Sequence, residues 1–265
     1  MERLTIMLIL EGFTTSFLRK EKNMIPKIIH YCWFGRNPKP ALAEKCIASW
    51  KKFCPDYEII EWNEDNFDIS SNRYVQEAYE NRKYAFVTDY VRLYALVTFG
   101  GVYMDTDVEV VRSLDEFLVH QAFSGFEEEA WIPTGLMACE KEFPLYKEFL
   151  SYYDNARFVK EDGTLDTTTN TFTITKMTEK HGLIRNGQFQ IIDGFALYPR
   201  EVFCPLDNST GVLHKNEMTA AIHWFSKSWL PADIRVRSKI TRVFHRVFGI
   251  NCFAWLKKLL GKERM

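Results

Sequence analysis

The 265-residue chain is most informative for what it has little of. Its net charge is only −1, from 34 basic and 35 acidic side chains. A nucleic-acid binder carries a basic excess, and the total shows none, so nucleic acid is not an expected partner. Its six cysteines form no C-x-x-C pair, and no Cys/His cluster has zinc spacing. That excludes a zinc framework and reads as reduced thiols. Thirteen glycines without a repeat exclude a collagen-like fibre. Charged residues at 26% and hydrophobic residues at 46% exclude both a disordered chain and a polytopic membrane protein. The apolar stretch at residues 4–10 is too short to span a bilayer, and no clear cleavage site follows it. Met24 precedes a strong strand signal, so residues 1–23 read as an N-terminal extension. What the chain has in excess is aromatics, at 15%. They favour a large core and a site where rings stack on a sugar or another flat ligand.

Residues 25–34 predict a strand, opened by Pro26 and closed by Gly35. Leu42, Cys46, Ile47 and Trp50 recur at helical spacing over residues 41–53, and residues 57–62 predict a second strand. Residues 73–83 read as an exposed helix. Residues 85–99 form the clearest helix, with a stripe of Phe86, Tyr90, Leu93, Tyr94 and Val97. Gly100 and Gly101 stop it in a left-handed end. An apolar strand follows, broken by Asp105-Thr106-Asp107 and resuming to residue 111. The β-α-β-α-β order predicts an α/β sheet with crossover helices. Residues 161–178 read as a Thr-rich loop leading into a helix, and residues 189–203 as strand pieces.

Asp105 and Asp107 carry the sharpest chemistry. Two carboxylates two residues apart on extended backbone share a side. They repel one another and are costly to bury at a strand end. A hard divalent cation, Mg²⁺ or Mn²⁺, resolves that conflict and can hold a diphosphate. The alternative is a pair of exposed turn aspartates. Asp89 and Arg92 lie at i, i+3 on the preceding helix. They read either as a surface ion pair or as an Asp for sugar hydroxyls and an Arg for phosphate.

Together, IPKIIHYCWFG, YAFVTDYVRLYALVTFGGVYMDTDVEVV and AIHWFSKSWL resemble glycosyltransferase family 32. That family contains capsule and exopolysaccharide glycosyltransferases and yeast initiating mannosyltransferases. It is similar to the glucosylating domain of large clostridial toxins. The resemblance implies a GT-A type, Rossmann-like domain over residues 24–233. It implies a retaining hexosyltransferase using a UDP- or GDP-hexose with Mn²⁺ or Mg²⁺, and a glycan or lipid-linked glycan acceptor in bacterial surface polysaccharide synthesis. Carried over by position, Trp33 stacks on the base, and Asp89 and Arg92 hold the hexose and diphosphate. Asp105 touches the ribose and the metal shell, and Asp107 ligates the metal. His223 is a metal or phosphate ligand, and Ser228 and Trp229 close a lid. Members often carry His-His-Trp-x-Gly-Ser-Trp. Here one histidine is missing, and Lys227 stands where Gly is frequent. No nucleophile stands out, and Glu127, Glu128 and Glu129 read as solvated. A toxin-like protein glucosyltransferase, a D-x-D phosphatase and a non-catalytic sugar-nucleotide binder are the alternatives. The phosphatase lacks its Asp nucleophile and downstream Lys, and the retained acidic motif opposes a degraded site.

Residues 234–265 read as a basic amphipathic tail. Val236, Ile240, Val243, Phe244 and Val247 form one face, with Arg235, Lys239, Arg242 and Arg246 elsewhere. Residues 235–265 hold nine Lys and Arg against one acid, a charge of +8 that leaves −9 for residues 1–234. This predicts an anionic membrane contact, and hence a cytoplasmic enzyme peripheral to the inner face of the plasma membrane.

Overall fold

A computed structural model describes residues 25–226 and 232–253. The N-terminal extension, Lys227, Ser228 and Trp229, and the tail beyond residue 253 lie outside the described residues.

The first strand, β1 (Ile28–Cys32), is followed by helix α1 (Ala41–Phe53) and strand β2 (Glu58–Trp62). Two helices, α2 (Arg73–Glu80) and α3 (Tyr84–Phe99), then lead into β3 (Gly101–Met104). β1 pairs in parallel with both β2 and β3. This Rossmann-like half of the sheet is the α/β arrangement that the sequence predicts. Beyond it lie β4 (Val108–Val110), β5 (Ala122–Gly125) and β6 (Leu136–Cys139). After helices α4 (Pro144–Ser151) and α5 (Asn170–Lys180) come β7 (Gln190–Ile192), β8 (Phe195–Tyr198) and the short α6 (Arg200–Phe203). Strand β9 (Ala221–His223) and helix α7 (Ala232–Phe248) complete the described elements. The main sheet runs β2-β1-β3-β6-β5-β8-β7, and β4 pairs with β9 in a separate two-stranded sheet.

α3 is more than an amphipathic helix. Besides the buried part of its predicted stripe, Val87, Asp89, Val91, Arg92, Ala95 and Leu96 are buried. It lies between the sheet and neighbouring helices, so apolar residues are wanted nearly all round. Each fully buried Val or Leu there contributes roughly 1.5–3 kcal/mol. Gly100 ends it at φ 71° and ψ −173°, which is not the left-handed helical end that the sequence suggests. Only glycine takes that conformation readily, and a Cβ there would lie 2.7 Å from the Lys141 backbone nitrogen. The expectation of an exposed helix at residues 73–83 is also corrected. Asn72 caps α2 through its side chain, and the helix buries Tyr74, Val75 and Ala78. Likewise, the last of the predicted strand pieces at residues 189–203 is helix α6.

Candidate active site

β3 is apolar and buried throughout, and its C-terminal end delivers Asp105. The chain then turns, with Val108 N–H donating to the Asp105 carbonyl at 2.9 Å. Asp105 and Asp107 therefore converge through a turn, not through the alternation of an extended strand. After the turn, β4 leaves the main sheet. Two α1 side chains hold it: Trp50 Nε1–H donates to the Val108 carbonyl at 2.7 Å, and Ser49 Oγ accepts from Val110 N–H at 3.0 Å. In the β4–β9 pair, Val108 stands opposite His223. That register brings a residue 116 positions away beside Asp107.

Asp105, Asp107 and His223 each offer a ligand atom, and these atoms lie within 4.8 Å of one another. His223 Nε2 is 3.4 Å from Asp107 Oδ1. The Asp107 carboxylate also accepts from Ser226 N–H at 2.7 Å. Phe225 takes a positive φ of 49° just before Ser226, and its ring lies 4.1 Å from that of His223. Burial alone would raise the Asp107 carboxyl, but facing His223 and the bond from Ser226 hold it well below the usual range. Burial alone would lower His223, but Asp107 and Cys204 raise it well above its usual value. Gly135 closes the cluster, since a Cβ there would lie 3.0 Å from His223 Cε1 and 3.2 Å from Asp105 Oδ2.

These residues fit a divalent cation. Two carboxylates and an imidazole suit Mn²⁺ or Mg²⁺. His223 Nδ1 is buried without a hydrogen-bond partner. Buried polar atoms are normally satisfied, and with only the weakly bonding Cys204 beside it this nitrogen is open to a ligand.

Asp89 and Arg92 form a second cluster, which also contains Asp105. Arg92 Nη2 is 3.2 Å from Asp89 Oδ1 and 3.5 Å from Asp105 Oδ1. Its Nη1 donates to the Thr134 carbonyl at 2.5 Å, and its Nε to the Thr88 carbonyl at 3.2 Å. Its guanidinium lies 4.8 Å from the Tyr103 ring centre, and Tyr103 donates to Asp105 at 2.8 Å. Arg92 is only 4% exposed. Its donors meet protein acceptors. Burial pushes Asp89 up to about 7, against the pull of Arg92.

Trp33 sits at the end of β1, partly buried, and donates to the Asn37 carbonyl at 2.6 Å with Lys39 over its ring. Glu127 and Glu128 are not the solvated pair that the sequence suggests. Burial pushes Glu127 up to about 7, opposed by the charges of His223 and Arg200. Glu128 accepts backbone N–H groups of Asn208 and Ser209. Sequence reasoning misses Trp50, Tyr103 and Gly135. Tyr103 lies inside the quoted motif and could have been found from its spacing to Asp105. Trp50 and Gly135 give no local signal.

Residues 40–124 match the family described as glycosyltransferase sugar-binding region containing DXD motif. That segment holds Asp89, Arg92, Asp105 and Asp107. That segment is similar to the sugar-binding region of DXD-containing glycosyltransferases. Proteins similar to this chain include inositol phosphoceramide mannosyltransferase 3 of Schizosaccharomyces pombe. The two are 29% identical over 127 residues, covering 45% of this chain and 35% of that one. Mannosyl phosphorylinositol ceramide synthase SUR1 of Saccharomyces cerevisiae is 26% identical over 181 residues, covering 64% and 46%. The chain thus spans less than half the length of these relatives. Among solved structures, PaToxG glycosyltransferase aligns with a TM-score of 0.46 at 17% identity, covering 67% of this chain and 77% of that one. The galactosyltransferase LgtC aligns with a TM-score of 0.42 at 13% identity, covering 81% and 95%.

Proposed function

We propose that the chain moves a hexose from a nucleotide sugar to a hydroxyl of a lipid-linked acceptor, with a divalent cation held by Asp105, Asp107 and His223. The observation that carries this reading is the convergence of those three ligand atoms within 4.8 Å at the end of β3. The relatives named are mannosyltransferases of phosphorylinositol ceramides, not enzymes of bacterial surface polysaccharide. They favour mannose as the hexose and a phosphate-bearing lipid as the acceptor.

When bound, the cation neutralises charge on the departing nucleoside diphosphate. The chain's own groups do the rest. Asp107 is kept ionised by its bonds to His223 and Ser226, so it is ready to ligate. Arg92 braces Asp89 and Asp105 at fixed separation, which makes it a positioning residue. Asp89, at the edge of that brace, accepts a sugar hydroxyl. Trp33 offers its ring to the base.

Helix α7 supports the membrane part of this reading. An ordinary packing helix turns its apolar face inward, and this one does the reverse. Val236, Ile240, Val243 and Val247 are 55–65% exposed. Arg242 and Arg246 instead face the domain, donating to Asn208 and Gly211 carbonyls at 2.9 and 2.8 Å. An outward apolar stripe flanked by basic residues suits a membrane interface. No helix among the described residues is long and apolar enough to cross a membrane.

The test is thermal unfolding with a panel of UDP- and GDP-hexoses, with and without Mn²⁺. One donor should raise the midpoint only when Mn²⁺ is present. No shift with any donor would contradict the transferase reading.

A further inference from the structure

We propose that a cleft beside the metal cluster is the acceptor subsite, and that it takes a polyhydroxylated ring carrying a phosphate group. This deepens the transferase reading above and rests on it. The cleft has a volume of about 610 Å³ and is lined in part by Phe126, Glu127, Arg185, Gln188, Arg200 and Met218. That size suits a small ligand.

The sheet explains its position. β6 runs antiparallel to both β3 and β5. The end of β5 therefore lies at the same edge of the sheet as the end of β3, and the residues after Gly125 enter the site. Glu127 joins the two regions: it lines the cleft, and its carboxylate feels the charges of His223 and Arg200.

Arg200 is the observation that points to an anion. Its Nη2 donates to the Leu206 carbonyl at 3.4 Å, while its Nε is buried without a hydrogen-bond partner. A guanidinium with an unmet N–H on a cleft wall matches a phosphate oxygen. Arg185 adds a second guanidinium, placed 3.7 Å over the Trp131 ring, which in turn lies 5.7 Å from the Phe172 ring. Glu127 and Gln188 supply acceptors for hydroxyl groups. A carboxylate in the same cleft disfavours a bare polyphosphate and favours a ligand with hydroxyls at one end and charge at the other.

The cleft wall is also tied to α7. Glu128 holds the backbone of Asn208 and Ser209, and Arg242 holds the Asn208 carbonyl and side chain at 2.9 and 2.7 Å. A phosphate-bearing headgroup arriving along the exposed face of α7 reaches a wall that the same helix supports.

The experiment is calorimetric titration of myo-inositol 1-phosphate and of myo-inositol into the full chain with Mn²⁺ and nucleoside diphosphate. The phosphate form should bind at least ten-fold more tightly. Arg200→Gln should shrink that preference to within three-fold, Arg200→Lys should recover part of it, and Glu127→Gln should weaken both ligands about ten-fold. Far-ultraviolet circular dichroism on each variant separates a lost site from a lost fold, and the lysine variant carries the test if the glutamine one unfolds. Equal affinity for the two ligands, or a preference that survives Arg200→Gln in a folded protein, would overturn the proposal. Binding of Mn²⁺ and diphosphate is measured in the same samples. If it is absent, the transferase reading fails; if present without ring-phosphate binding, the cleft alone fails. Vesicles of phosphatidylcholine with and without phosphatidylinositol distinguish the source. Arg200-dependent preference for the inositol lipid over soluble inositol 1-phosphate supports a membrane acceptor, and equal use of both supports a soluble one.

Discussion

Asp105 belongs to two clusters that differ in what completes them. Towards α3 it joins Asp89 and Arg92, and there the Arg92 donors meet Thr88, Thr134 and both carboxylates. Towards β9 it joins Asp107 and His223, where an imidazole nitrogen is left buried without a partner. In the first cluster the guanidinium is met by protein acceptors, whereas the second leaves one imidazole nitrogen open. Similar residue types thus form a brace in one place and, on the function proposed above, a ligand set in the other. The two histidines of this half of the molecule repeat the contrast. His30 donates from Nε2 to the Gly100 carbonyl and accepts at Nδ1 from Trp62 Nε1–H, and burial lowers it to about 4. His223 faces Asp107 and moves the opposite way.

The largest expected effect comes from breaking the brace. Arg92→Met leaves Asp89 and Asp105 uncompensated, and should cost about 3–5 kcal/mol in denaturant unfolding, with or without Mn²⁺. Asp107→Ala should cost less in the metal-free protein, while abolishing the Mn²⁺-dependent part of stability. Equal losses in the two metal-free variants would erase the distinction between brace and ligand set.

His30 gives the next effect. Its folded value lies below the unfolded one, so the unfolded chain takes up the extra proton. Stability from this group is full above about pH 6.5 and is lost as the pH falls towards about 4, by roughly 3 kcal/mol. Unfolding free energies across that window, for the native protein and for His30→Gln, should differ in slope, the variant being flatter.

Trp50→Phe sharpens the comparison from the ligand side. It leaves the buried Val108 carbonyl without its donor, at a cost of about 1–3 kcal/mol. Loosening the start of β4 should also weaken Mn²⁺ binding by roughly 10–100-fold. Gly135→Ala should disturb the brace far less than Arg92→Met, because its Cβ meets Asp105 Oδ2 and not the Oδ1 that faces Arg92. Its Cβ crowds His223 and Asp105, so a few-fold loss of Mn²⁺ affinity is expected, read by calorimetry.

Much of the brace was legible in the sequence. Asp89 and Arg92 share a helix face by spacing alone, and the strand after them placed Asp105 at a sheet edge. The helix at residues 41–53 and the β-α-β-α-β order were equally local signals. The ligand set was less legible. The D-x-D pattern suggested a metal, but through an extended strand, whereas a turn brings the carboxylates together. His223 was implied by resemblance, and only the β4–β9 register shows how it reaches Asp107. Glu127 escaped because three adjacent glutamates look solvated, and nothing local shows that Trp131 and Tyr198 fold the loop back. For α7 the expected membrane contact asked for an outward apolar stripe, but periodicity finds such a stripe without fixing the side on which it lies.

The central claim is that Asp105, Asp107 and His223 form a metal site. Calorimetric titration of Mn²⁺ into the full chain with UDP or GDP present tests it most directly. One Mn²⁺ should bind the native protein, and Asp107→Asn and His223→Gln should each weaken it by at least 100-fold while both variants remain folded. Native-like Mn²⁺ affinity in both variants would contradict the account.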